Sequence, residues 1–296
     1  MTVMRAIHAV PPDPSPTAVS ALPDRLTAIR GEGVPDASVV VPVNAQGDLG
    51  HVAALLTDLA RYRGPRRLEV IVVLNNYAGQ EPPHRAQLES WGACLLTIPS
   101  VRRSGEAVSF TARIPGARAA ASDITIHFDA DCRIPDPTTL IDWYVDALGS
   151  AGSAYAPVLF HSVPHGRAPE LAVAVHHLSR WCKRVLLGIP TLRGSAYAVR
   201  RGLLLNAYDR GRLADDMNVG PAIRASGACV MYGSAPGLAV RTSGRMYDFR
   251  WTDLLHYFRY RLAYNLRVLP VGDGAAARTG RERDPVRRYL DDRPVR

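Results

Sequence analysis

The pattern of apolar and polar positions becomes regular from residue 38. "SVVVPV" (38–43) is a continuous run of mostly β-branched residues, as a strand buried on both faces requires. In "DLGHVAALLTDLARY" (48–62), Leu49, Val52, Leu55, Leu56 and Leu59 fall on one helical face, with Asp48 positioned as N-cap. "LEVIVVL" (68–74) predicts a second buried strand and, after "PHRAQLESWG", "ACLLTIP" a third. "ARIPGARAAAS" (112–122) predicts a helix with Pro115 in or before its first turn, and "DITIHF" (123–128) a fourth strand. Asp136 then caps a helix that carries Pro137 at its first position and runs to about Leu148. This alternation predicts an α/β fold, a mostly parallel Rossmann-like central sheet with helices on both faces. Ligands of such sheets bind at the carboxyl ends of the strands. Asn44, Asn75 and Asp129 each stand just past a strand end, so they converge on one rim.

The second half is less regular. "LAVAVHHLSRWCKRVLLG" (171–188) reads as an amphipathic helix in which His176 and His177 are a core histidine beside a surface one. "GSAYAVRRGLLLNA" reads as a strand entering a helix. "ADDMNVGPAIRASGACVMYG" (214–233) reads as capping acids, a short helix stopped by Gly227, then a strand. Three units follow: a flexible, proline-rich arm over 1–36, a domain over 37–270 divided near 136, and a mobile charged tail over 271–296.

With 47% hydrophobic and 21% charged residues, the 296-residue chain can bury a sizeable core. The four cysteines are far apart with no C-x-x-C pair, which argues against a zinc site or a disulfide framework and for reduced thiols in the cytoplasm. No stretch is long and apolar enough for a signal-peptide core or a membrane helix. Membrane contact is at most peripheral, and the apolar side of residues 250–270 is expected to pack on the sheet rather than on lipid. Residues 178–212 carry eight cations against Asp209, and 241–267 carry six against Asp248 and Asp253, more than the whole chain's net +9. This basic half suits a phosphorylated ligand, and no nucleic-acid-binding motif accompanies it.

"HFDADCRIPD" (127–136) raises the chemical question, because Asp129 and Asp131 repel unless solvent, a cation or a polar ligand compensates them. Taken with "VVVPVNA", "VIVVLNNYAG", "ARIPG" and "LADDMNVG", in that order and spacing, it resembles the family 2 glycosyltransferases of the GT-A fold, from about Ser38 to Tyr247. "RGSAYAVRRGLL" and "RTSGR" (241–245) resemble that family's later segments. The resemblance implies inverting transfer of one sugar from a nucleotide diphosphate donor to an acceptor small molecule, peptide or lipid-linked sugar, in secondary-metabolite or cell-envelope biosynthesis. It implies a divalent cofactor, Mn²⁺ or Mg²⁺, held by Asp131, with Pro42, Asn44, Asn75, Arg113 and Asp129 at the nucleotide. Asp216 would be the general base, and Asp215, Gly194, Ser195 and Arg245 would meet the diphosphate or sugar.

The chain departs from the family pattern at three places. Asn75 replaces the usual Asp; an amide complements an imide edge, which favours uridine or thymidine diphosphate donors. Ile114 replaces an Asn, leaving Arg113 as the retained residue. Tyr247 stands where processive members carry Gln before Arg250 and Trp251, which predicts single-sugar addition. A nucleotidyltransferase that forms sugar nucleotides is the alternative, although "VPVNAQGDLG" lacks the expected Gly-rich phosphate loop. A second alternative is a non-catalytic partner that binds nucleotide sugars.

Overall fold

The computed structural model describes residues 13–77, 84–98, 108–213 and 215–244, and beyond them Tyr247, Trp251, Leu255, Phe258 and Arg259. The strands are β1 Ala37–Asn44, β2 Leu68–Asn75, β3 Cys94–Thr97, β4 Ile124–His127, β5 Ser153–Tyr155, β6 Val158–His161, β7 Tyr197–Arg200, β8 Val230–Tyr232 and β9 Val240–Ser243. The helices are α1 Pro16–Ser20, α2 Leu22–Arg30, α3 Leu49–Leu59, α4 Arg85–Ser90, α5 Val108–Ala119, α6 Pro137–Ala147, α7 Arg167–Val185, α8 Arg201–Asp209 and α9 Asp216–Ala225.

Seven strands form one sheet in the order β3-β2-β1-β4-β7-β5-β8, while β6 and β9 form a parallel pair apart from it. The sheet is parallel except at β7, which runs antiparallel to β4 and β5. Strand alternation divides the core. Val39, Val41 and Val43 of β1, with Val70, Val72 and Leu74 of β2, join the cluster holding Leu55, Leu56 and Leu59 of α3. Val40, Ile71 and Val73 face the other way, onto Ala112 of α5. This is the mostly parallel α/β sheet expected from the sequence.

The chain order reverses between β1 and β4, and this is the switch point at which such sheets open a crevice. Pro42 fits the opening. Pairing of β1 with β4 covers only Ser38–Val40, and the Val40 carbonyl accepts the Phe128 N–H at 3.3 Å. Two residues on, Pro42 turns its nitrogen to the same side, beyond the last rung, so its missing donor costs no ladder bond.

Several sequence expectations need correction. Over residues 16–30 the flexible arm is two helices, and Leu22, Leu26 and Ile29 are buried in the main core. Pro16 and Pro23 sit in first turns, where a proline lacks nothing the helix needs, so they mark starts and not disorder. Pro115 lies inside α5, which begins at Val108, and Gly116 follows it. A Cβ on Gly116 would come within 2.9 Å of Val73 Cγ2 and closer still to Val40, so the helix lies directly on β1 and β2. Asp48 makes no side-chain cap to α3; its Oδ2 accepts the Asn44 N–H at 3.1 Å instead. Asp136 does cap α6, accepting from the Thr139 N–H at 3.0 Å. Most of residues 250–270, and all of the tail over 271–296, lie outside the described residues. Among the described residues no helix is long and apolar enough to cross a membrane.

Candidate active site

β4 delivers the chain to Asp129 at the switch point, and four further elements close on it. From α5 comes Arg113, fully enclosed, pairing through Nη2 with Asp129 Oδ1 and donating to the Gly194 carbonyl at 2.9 Å. From the segment before β7 comes Ser195, whose Oγ donates to Asp129 Oδ2 at 2.7 Å. From the start of α9 comes Asp216, whose Oδ1 lies 2.9 Å from Arg113 Nε and accepts the Tyr197 hydroxyl at 3.0 Å. The Arg113 Nε contact is ionic, because its direction is not that of a hydrogen bond. Tyr197 comes from β7, its ring stacked on His127 with centroids 4.7 Å apart.

Gly194 is the meeting point. A Cβ there would lie 2.7 Å from Asp216 Oδ2, 3.0 Å from Asp129 Oδ1 and in collision with the Arg113 guanidinium. Only a residue without a side chain lets the backbone pass between these charges.

Burial governs the electrostatics. Asp216 is 6% exposed, and desolvation pushes its carboxyl up to about 6 against the opposing pull of Arg113, with Asp215 and Asp129 adding to the rise. Arg113 stays charged, because Asp216 and Asp129 outweigh its own desolvation. Burial and the nearby Arg113 hold the His127 imidazole well below its usual range, so it stands neutral in the stack.

Asp131 faces a different neighbour, accepting the Thr242 hydroxyl of β9 at 3.0 Å. Its loop is clamped twice. Arg133 pairs with Arg241 of β9 by backbone hydrogen bonds of 2.7 and 2.9 Å. Buried Asp58 of α3 accepts Arg133 Nε at 2.8 Å and the Ile134 N–H at 2.9 Å. Among the described residues, no three His, Cys, Asp or Glu side chains gather closely enough to hold a metal alone. The donor set is nonetheless hard oxygen. It fits Mg²⁺ or Mn²⁺ held through one or two carboxylates, with a ligand's phosphate oxygens and water completing the shell.

On the other side of the switch point Asn44 and Asn75 are register partners at the ends of β1 and β2. Asn44 Oδ1 accepts from the Gln46 N–H and Asn76 Nδ2, both at 3.0 Å. Asn75 is 7% exposed; its Nδ2 reaches the Val73 carbonyl at 3.4 Å, and its buried Oδ1 has no donor among the described residues.

The structure thus brings together Arg113, Asp129, Gly194, Ser195 and Asp216, with Asp131 two residues further along the loop. Asp215 caps α9, accepting the Met217 N–H at 3.2 Å. Arg113, assigned to the nucleotide from the sequence, is enclosed among protein groups. Arg245 lies outside the described residues. The sequence reading missed Tyr197, Asp58 and Thr242. Tyr197 carried one signal, its place two residues after Ser195 at a strand start. Asp58 carried none, being a helical acid on an otherwise ordinary face.

No protein-family model matches the chain, and no curated protein matches it in sequence. Among solved structures it is similar to a mannosyltransferase from Pyrobaculum calidifontis in complex with GDP-Man and Mn²⁺, with a TM-score of 0.48 and 17% identity over 93% of this chain and 87% of that one. It is also similar to glucosyl-3-phosphoglycerate synthase from Mycobacterium tuberculosis in complex with Mn²⁺ and UDP-Glc, at 0.48 and 18% over 90% and 89%. A third is S. aureus TarS 1-349 with UDP-GlcNAc, at 0.49 and 17% over 82% of this chain and 69% of that one.

Proposed function

We propose that the chain transfers a sugar from a nucleotide diphosphate sugar to an acceptor hydroxyl, with inversion. The observation that carries the reading is the closure of Asp129, Asp216 and Arg113 on the backbone of Gly194 at the switch point. Asp216 is the base. Both described polar contacts to its carboxylate fall on Oδ1, so Oδ2 is the oxygen that takes the acceptor's proton. A carboxyl pushed up to about 6 is ionised at neutral pH and more basic than an exposed aspartate, as a general base requires. Arg113 and Tyr197 orient that carboxylate, and Arg113 with Ser195 orients Asp129 toward the donor's sugar or ribose. Asp131 holds the divalent cation, which neutralises charge developing on the leaving diphosphate. The buried, undonated Oδ1 of Asn75 supports an imide N–H partner, hence uridine or thymidine diphosphate donors.

Calorimetric titration of uridine, thymidine and guanosine diphosphate, with and without Mn²⁺, tests the donor half. A pyrimidine nucleotide should bind best and only with metal, and Asp131→Asn should cost about tenfold or more in affinity. Binding that needs no metal, or metal-dependent binding that is unchanged in that variant, contradicts the assignment of Asp131.

A further inference from the structure

Phe160 of β6 is buried, and four side chains surround its ring. The Tyr247, His177 and His176 rings lie with centroids 4.9, 5.4 and 5.5 Å away, and the Arg193 guanidinium carbon stands 4.8 Å over the face. The aromatic face holds Arg193 in place. Among the described residues its side chain donates no hydrogen bond and pairs with no carboxylate, and its Nη1 is buried without an acceptor.

Among the described residues the groups packed beside it carry no negative charge. Arg180 of α7 donates to the Thr191 carbonyl at 2.5 Å. Burial, Arg180 and Arg193 hold the His177 imidazole down to about 4, so it stands neutral between two guanidinium groups. The partly buried Arg193 guanidinium, beside a neutral His177, is a charge whose desolvation a ligand's negative charge would offset. A planar fork backed by a ring is suited to a phosphate or carboxylate.

The position of Arg193 says which ligand. It immediately precedes Gly194, the residue lying against Asp216 Oδ2. The segment leading to it lies on α9, the helix that begins with Asp216: a Cβ on Gly220 would stand 2.8 Å from Pro190 Cβ. Base and acceptor share one side of the reacting carbon, opposite the leaving group.

We propose that Arg193, seated on Phe160, receives a phosphate or carboxylate of the acceptor. The acceptor is then an anionic hydroxyl compound, because Arg193 adjoins the residue that lies against Asp216 Oδ2. This rests on the transfer reading above.

The test uses the full chain with uridine diphosphate and Mg²⁺ present, and inorganic phosphate as the probe, titrated by calorimetry. The unmodified chain should bind phosphate beside the nucleotide. Arg193→Gln should weaken phosphate by about tenfold or more, the scale of a lost charge-assisted contact, and leave uridine diphosphate within about twofold. Phe160→Leu keeps the charge and removes the platform; it should weaken phosphate in the same direction, with folding of both variants checked by thermal melting. Undiminished phosphate binding in Arg193→Gln, or none in the unmodified chain, overturns the proposal. A loss of uridine diphosphate affinity in Arg193→Gln overturns it too, because the anion is then the donor's. Failure of the unmodified chain to bind any nucleoside diphosphate overturns the transfer reading, and the acceptor assignment with it; that result is distinct because nucleotide and phosphate are titrated separately.

Discussion

Arg113 ties Asp129 to Asp216: one guanidinium, enclosed at 0% exposure, pairs through Nη2 with the first carboxylate and stands 2.9 Å through Nε from the second. The two acids are 87 residues apart in the chain, one just past β4 and the other at the start of α9. Without the cation between them they would repel across a desolvated gap.

Replacing Arg113 by Met should therefore act on both stability and chemistry. Removing one partner of a buried pair costs about 3–5 kcal/mol. Denaturant unfolding should show a loss of that order. Because Arg113 opposes the upward push of burial on Asp216, the carboxyl should titrate still higher than about 6 in any folded fraction.

Gly194→Ala should slow transfer severely with a smaller effect on the fold. The added methyl would stand 2.7 Å from Asp216 Oδ2 and 3.0 Å from Asp129 Oδ1, where only rearrangement of the charged groups relieves it. A fall of about a hundredfold in turnover, with an unfolding loss within about 1–3 kcal/mol, is the expected outcome. Steady-state kinetics and denaturant melts check it together.

Asp58→Asn tests the support of the loop proposed to hold the metal. The buried carboxylate accepts from Arg133 and the Ile134 N–H and touches no substrate position. Its amide replacement cannot accept from all of these donors, so the loop carrying Asp131 should loosen. Mn²⁺-dependent nucleotide affinity should fall by about tenfold, the scale of an outer-shell loss.

Much of this framework was legible in the chain. The runs "SVVVPV" and "LEVIVVL" announced central strands because burial on both faces leaves no polar position. Asp129 and Asp131 stood out as a repelling pair at a strand end, whereas Asp216 stood out from ordinary capping acids only through the motif order that resembles the glycosyltransferases. What periodicity could not show was contact between distant segments. Pro115 looked like a helix start because local rules place proline there, yet tertiary packing of α5 on Val40 and Val73 carries the helix through it. Pro16 and Pro23 looked like disorder for the same reason in reverse. Asp58 and Tyr197 gain their meaning only from partners 75 and 19 residues away.

With Asp216 as the proposed base, the pH dependence of transfer follows from its carboxyl. The carboxyl must be ionised to accept a proton, and burial sets its titration at about 6. Activity should be flat above that value and fall as pH drops through it, by about tenfold per unit on the acid side. A limb near 4, the range of an exposed aspartate, would mean that another group accepts the proton.

The most direct measurement is release of nucleoside diphosphate from a panel of nucleotide sugars, with Mn²⁺ and a set of anionic hydroxyl acceptors, by the unmodified chain and by Asp216→Asn. The account predicts acceptor-dependent release from a uridine or thymidine donor. It predicts a loss of about a hundredfold or more in the variant, with nucleotide affinity retained. A loss of less than about tenfold in Asp216→Asn would contradict the base assignment, and binding of donors without turnover of any would contradict transfer itself.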